Sequence, residues 1–341
     1  MVVRIGCVLM MVAVSVVLVA GCGPAREVSP WWAGSKTAIG PGSRVLLDAH
    51  NCYPEGDKWA DRIDRALGTS VPVAIEQDLV WYTDPDGGKS WSIVSHGEPF
   101  SGKEPTLRKH FFERIRPTVE KALRSGDKRA WPLITLNLDF KSNEPEHLAS
   151  VWALLGEYEA WLCTAKRVAD RRRAMPIEVK PVLVLTGSAD EQEDAFHDAV
   201  PVGGRLCLFG AVHVHGEESD VPPKAMVRQR ATNYRRWWNN SWKVVEKGGQ
   251  TKAKAWTPED MVRLRSLVEH AHAMGLWIRF YTLNGHRSND SRGWSNGYNF
   301  GPKDRVELRW RAAIEAGVDF VATDQYEEFS AFKAAMGQAA K

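Results

Sequence analysis

The chain has 341 residues, 44% of them hydrophobic, with 45 Lys and Arg against 42 Asp and Glu. A net charge of +3 is too small for a large nucleic-acid footprint, which needs many clustered cations, so no nucleic-acid partner is expected. The apolar share is that of an ordinary globular core. Cys52, Cys163 and Cys207 are odd in number and widely spaced, so they do not make a disulfide framework.

Residues 1–22 read as an export signal. Arg4 gives a positive start, residues 5–20 are almost wholly apolar, and Leu18-Val19-Ala20-Gly21 sets small residues before Cys22. The run falls short of the roughly 20 residues of a membrane-spanning helix. It resembles a bacterial lipoprotein signal, which implies lipidation of Cys22, a cell-envelope location, and a membrane contact made through the anchor. No Asp follows Cys22, which points to the outer membrane where the organism has one. Residues 23–43 are rich in Gly, Pro and Ser and read as a flexible tether. Residues 44–341 are expected to form a single catalytic domain, and the protein is expected to be a monomer.

From residue 44 onward, strand-like and helix-like segments alternate. Strands are predicted at 44–50, 71–81, 133–141, 181–187, 205–212, 231–238, 277–284 and 318–326. Amphipathic helices are predicted at 57–67, 106–125, 146–171, 190–199, 257–274, 303–316 and 327–336. Thr257-Pro258-Glu259-Asp260 places a cap, a proline and acids in a first turn. Alternation of this kind implies a parallel sheet, and eight strands over this length favour a closed (β/α)8 TIM barrel. The first strand is followed by no GxGxxG turn, which removes the main support for a dinucleotide fold. Residues 83–100 and 216–240 read as insertions.

In such a barrel the chemistry sits at the carboxyl ends of the strands. Here those ends carry Asp48-Ala49-His50-Asn51, Glu76-Gln77-Asp78, Ser95-His96-Gly97, Asp139-Phe140-Lys141, Arg279 with Tyr281, and Asp324. Glu76 and Asp78 are two apart on a strand and share a face. Adjacent carboxylates repel unless a cation lies between them. With Asp139 they form a donor set suited to one hard cation, Ca²⁺ or Mg²⁺. His50 and His96 supply groups that can take and give a proton near neutral pH. Lys141 or Arg279 could offset charge developing on phosphoryl oxygens. Fifteen tryptophans raise the question of an aromatic pocket, with Trp81 and the pair Trp237-Trp238 as its candidates. Arg235-Arg236 beside that pair could grip phosphate or belong to a solvated loop.

On these residues the chain resembles the superfamily of phosphatidylinositol-specific phospholipases C and glycerophosphodiester phosphodiesterases. His50-Asn51, Glu76-Gln77-Asp78, His96-Gly97 and Asp139-Phe140-Lys141 follow its His, Glu-x-Asp, His, acidic-x-Lys order. Asn51, where glycerophosphodiesterases carry Arg, favours the phospholipase C-like branch. The resemblance implies His50 and His96 as the catalytic pair, with His96 as acid toward the leaving group. It implies Glu76, Asp78 and Asp139 as metal ligands, with Asn51 as a further one, and Lys141 as a substrate contact. Arg279, Tyr281, Trp81 and Trp237 complete the expected substrate-binding set. The substrate implied is a small-molecule or lipid phosphodiester. Three rivals stand beside this reading. A glycoside hydrolase would use paired carboxylates and Trp platforms, but it leaves the histidines and Lys141 without roles. A metal amidohydrolase would call on His213-Val214-His215. A catalytically inactive surface-binding barrel would use none of these groups.

Overall fold

The computed structural model describes residues 30–32, 39–56, 58–247, 255–290 and 292–339. The expected signal peptide and Cys22 lie outside these residues.

Among the described residues twelve strands follow one another as β1 (Leu46–Ala49), β2 (Val73–Thr83), β3 (Ser90–Val94), β4 (Ile134–Phe140), β5 (Thr164–Lys166), β6 (Ile177–Glu178), β7 (Val182–Thr186), β8 (Arg205–Leu206), β9 (Phe209–Ala211), β10 (Arg235–Ser241), β11 (Trp277–Tyr281) and β12 (Phe320–Thr323). The helices are α1 (Arg62–Thr69), α2 (Glu113–Ser125), α3 (Pro145–Glu157), α4 (Asp190–Glu193), α5 (Pro223–Met226), α6 (Pro258–Ala273), α7 (Lys303–Ala316) and α8 (Tyr326–Ala339). The main sheet runs β1-β12-β11-β10-β9-β7-β4-β2, and β1 pairs in turn with β2. All these pairings are parallel, so eight strands close into the expected barrel.

Strand periodicity sorts the side chains. Leu46, Thr135, Leu183, Trp277 and Phe320 meet at the amino-terminal end of the barrel interior. Two residues further along their strands come Asp48, Asn137 and Arg279, and beyond them lie Asp139 and Tyr281. The interior therefore changes from apolar to ionisable along the strand direction, and the ionisable layer lies at the mouth. Well-formed caps fix the surrounding helices. Thr257 and Asp260 form a reciprocal capping box on α6, and α7 ends on Gly317 at φ 77°, a left-handed position that glycine adopts without strain.

Several elements differ from expectation. The insertion at 83–100 is a hairpin: β2 continues to Thr83, and β3 returns antiparallel to it. The helix expected over 146–171 stops at Glu157, because Leu162, Cys163 and Ala165 are buried and β5 pairs with β6 and β8 in a small separate sheet. The strand expected over 205–212 is split into β8 and β9, which belong to different sheets. Part of the stretch expected as tether is packed. Trp31 and Ile39 are buried, Trp31 Nε1 donates to Gly275 O at 3.0 Å, and Trp277 Nε1 donates to Ile39 O at 2.8 Å. Apolar side chains within a Gly/Pro-rich run gain more from closing the barrel base than from staying solvated. Cys52, Cys163 and Cys207 are free and buried.

Candidate active site

Thirteen of the strand-end and loop side chains, with Leu138 and Gly187, line a cavity of about 290 Å³ at the mouth; among them are His50, Asn51, Glu76, Asp78, His96, Asp139, Lys141, Trp237, Arg279 and Tyr281. Nearly the whole expected site set is thus in one place. Trp81 is the exception. Its position is odd where Glu76 and Asp78 are even, so it faces outward and stacks on His147 at 5.5 Å between centroids.

His50 follows β1 directly. Its Nδ1 lies 2.7 Å from Asp324 Oδ1, and its Nε2 lies 3.7 Å from Glu76 Oε2. The ring stacks on Tyr281 at 6.2 Å and meets Tyr298 edge-on at 5.8 Å. Asp324 is itself held by Asn284 Nδ2 at 2.8 Å and the Ser295 N–H at 2.7 Å. This fixed carboxylate selects the tautomer that carries its proton on Nδ1 and leaves Nε2 toward the cavity. Burial opposes the imidazolium, but Glu76 and Asp324 outweigh it and lift His50 to about 9. Asn51 sits at φ 53°, and its backbone N–H donates to Glu76 Oε2 at 2.9 Å. Its Oδ1 accepts from Tyr53 OH at 2.6 Å, and its amide reaches Asp324 Oδ1 at 3.0 Å.

His96 is exposed on the loop that leaves β3, stacked on Tyr53 at 6.2 Å. Partial desolvation and Lys141 hold it below the ordinary histidine value. It also borders a larger outer cavity of about 880 Å³ that shares Asn51 and Tyr298 with the inner one.

The carboxylates form a graded set. Carboxylate oxygens of Glu76, Asp78 and Asp139 lie within 4.8 Å of one another. Burial raises Glu76, but His50 and Arg279 outweigh it and bring the group to about 2. Asp78 is pushed up to about 8 by burial, with Glu76 and Asp139 adding to the push. Asp78 Oδ1 is buried without a hydrogen-bond partner. Lys141 Nζ approaches Asp139 Oδ2 at 2.7 Å and Asp78 Oδ2 at 3.0 Å. Arg279 pairs with Asp48 through Nε, with Glu76 Oε1 at 2.9 Å and with Asn239 Oδ1 at 3.1 Å. Five buried or half-buried acids, Asp48, Glu76, Asp78, Asp139 and Asp324, therefore face two permanent cations. An excess of negative charge, an orphaned carboxylate oxygen and an all-oxygen donor set fit one hard divalent cation.

The remaining expected residues are structural. Trp237 is 1% exposed and donates its indole N–H to Thr186 O at 2.8 Å, which makes it the cavity floor. Arg235 is consumed by Glu193, Asp190 and two backbone carbonyls, and so does not grip phosphate. His213 is exposed and pairs with Asp190 at 3.0 Å away from the cavity, which leaves an amidohydrolase without its ligands. Sequence reasoning gave no role to Asp48, Asn284 or Tyr298, and treated Asp324 only as a polar strand end. The Asp48–Arg279, Asp324–His50 and Tyr298–His50 contacts each join residues more than two hundred positions apart, and no local spacing marks them.

No protein-family model and no curated protein matches the chain. Solved structures of similar architecture include the following two. One is a glycerophosphoryl diester phosphodiesterase from Parabacteroides distasonis, 14% identical, covering 86% of this chain and 87% of that one at a TM-score of 0.40. The other is a calcium-dependent phosphoinositol-specific phospholipase C from a Gram-negative Pseudomonas species, 13% identical, covering 88% and 96% at a TM-score of 0.47. Neither likeness bears on what this chain acts on.

Proposed function

We propose that this protein is a metal-dependent phosphodiesterase. The observation that carries the reading is the convergence of His50, His96 and the Glu76, Asp78, Asp139 cluster on one cavity. A glycosidase needs only the acids, and a binding barrel needs neither imidazole.

Glu76, Asp78 and Asp139 would hold the cation, Ca²⁺ or Mg²⁺, which when bound supplies positive charge to the phosphoryl oxygens. Lys141 adds a second cation on the same wall and orients the phosphate. His50, oriented by Asp324, would take the proton of the attacking oxygen at Nε2 once a cation held by Glu76 offsets the charge that lifts its imidazolium. That oxygen bonds to phosphorus as the bond to the leaving oxygen breaks. His96, beside the outer cavity, returns a proton to the leaving oxygen. Where the attacker is a hydroxyl of the substrate itself, the first product is a cyclic phosphate. Arg279 keeps Glu76 and Asp48 ionised and fixed, and Tyr281 and Trp237 shape the cavity. Asn51 holds Glu76 and Asp324 in register. We further infer that the chain is exported and anchored through a lipid on Cys22. Among the described residues no helix is long and apolar enough to cross a membrane.

The test is hydrolysis of bis-p-nitrophenyl phosphate, a glycerophosphodiester and phosphatidylinositol, with and without EDTA. Turnover of at least one of them, lost with EDTA and restored by a divalent cation, supports the reading. Turnover of a glycoside that survives EDTA overturns it.

A further inference from the structure

The two ends of the barrel differ in charge. The loops that lead into the strands form its base. They hold Lys128, Arg129, Arg172, Arg173, Arg228 and Arg230, all exposed. Among the described residues the last four have no ion-pair partner. Backbone hydrogen bonds gather these loops at one end: Asn233 N to Arg171 O at 2.8 Å, Gly203 N to Arg167 O at 2.8 Å and Ala231 N to Met274 O at 2.8 Å. The loops that leave the strands form the mouth. They hold Glu55, Glu98, Glu191, Glu217, Glu218 and Asp220, mixed with Lys58, Lys103, Arg287 and Arg292, all exposed. Of these, Glu217 is met by Lys243 at 2.6 Å and Glu55 by Arg62 at 3.4 Å.

The chain joins the barrel at the base. Besides its bond to Gly275, the Trp31 ring packs on Trp277 at 4.9 Å and under the Arg236 guanidinium at 5.1 Å. Eight residues separate Trp31 from Cys22, and covalent geometry limits their reach to ~30 Å. The mouth offers little to a bilayer. Of the large apolar side chains exposed among the described residues, Tyr298 alone lines the mouth cavities.

We propose that the basic base docks on an anionic bilayer surface beside the Cys22 anchor, so that the mouth opens away from the anchoring membrane. The proposal rests on the lipidation inferred above. Cations within a Debye length of anionic head groups are attracted to them, and the mouth, where acids and bases mix, gains no comparable attraction. Tether reach and charge thus select one orientation. Its consequence is that the enzyme takes its phosphodiester from the aqueous side, as a soluble ester or one presented by a facing surface, and not from the lipids under its own anchor.

The test uses the full lipidated chain on phosphatidylcholine vesicles with and without phosphatidylglycerol. Arg172→Cys at the base and Glu218→Cys at the mouth are each labelled with a bulky maleimide; Cys52, Cys163 and Cys207 are buried. Labelling at 172 is expected to slow by at least about fivefold on anionic vesicles and to recover in high salt, while labelling at 218 is unchanged. Arg173→Glu, Arg228→Glu and Arg230→Glu combined in the Arg172→Cys chain should remove the protection and leave turnover unchanged. Flotation on pure phosphatidylcholine reports the anchor alone. A chain that fails to float there has no anchor, and the proposal falls with it. A chain that floats but is equally labelled at 172 on both vesicles, or is protected at 218, overturns the docking while leaving the anchor in place.

Discussion

Adding a divalent cation to the metal-stripped protein should raise its unfolding midpoint by about 4 °C. The donors are the Glu76, Asp78 and Asp139 carboxylates, whose oxygens lie within 4.8 Å of one another. A cation that binds them only in the folded state stabilises by ~2.7 kcal/mol at a hundredfold excess over Kd. Unfolding the Trp31–Lys341 unit carries an entropy of roughly 2.1 cal/mol/K per residue, or about 0.65 kcal/mol/K in all. The quotient is the predicted shift. Scanning calorimetry after EDTA treatment measures it, with CaCl2 or MgCl2 added against NaCl of equal ionic strength. Asp139→Asn removes one ligand and should reduce the rise to under about 1 °C. Asp78→Asn should abolish the rise yet leave the cation-free protein no less stable, because it removes a desolvated carboxylate whose Oδ1 has no partner. A rise that persists in both variants, or none with either cation at millimolar concentration, refutes the metal site.

Asp324→Asn should lower kcat by about 10²- to 10⁴-fold with a smaller change in KM, because it frees the His50 tautomer without removing a substrate contact; steady-state kinetics separates the two parameters. Arg279→Met strands Asp48 and Glu76 in a buried site and should destabilise by about 3–5 kcal/mol in urea unfolding, and Asp48→Asn in the same chain should restore part of that. Trp81→Ala should leave KM unchanged, since its ring packs on His147 outside the cavity; a large rise in KM would return Trp81 to the substrate. Burial, with Arg114 adding to it, lowers His110 to about 4, and burial lowers His147 to about 4. Their unfolded values are higher, so the folded state binds fewer protons. Their contribution to stability should be full above pH ~6.5 and fall as pH drops toward 4, by up to about 3 kcal/mol per group. His147→Gln should flatten that acid limb, as read from urea midpoints across pH.

The barrel was legible because strands and helices alternate with the right periods. The acid cluster was legible because Glu76-x-Asp78 and Asp139-x-Lys141 each sit within one strand end, where the two-residue repeat fixes the face. The same repeat would have turned Trp81 outward. What the sequence hides is contact between distant segments. Asp324 meets His50 across 274 positions, and Arg279 meets Asp48 across 231. The packed base was partly visible in Trp31, Trp32 and Ile39, apolar residues in a run whose Gly and Pro content suggested only a tether. The break after Glu157 was not visible, because apolar residues continue across it, Leu154 and Leu155 before and Trp161, Leu162 and Cys163 after, and only tertiary packing separates the two elements.

Turnover by the cation-loaded protein and by two single variants, His50→Ala and His96→Ala, tests the whole account most directly, with circular dichroism to show that each is folded. The expected result is cation-dependent cleavage of at least one phosphodiester that falls by about 10²-fold or more in each variant. Undiminished cleavage in both variants, or a folded, cation-loaded protein that cleaves no phosphodiester, would contradict it.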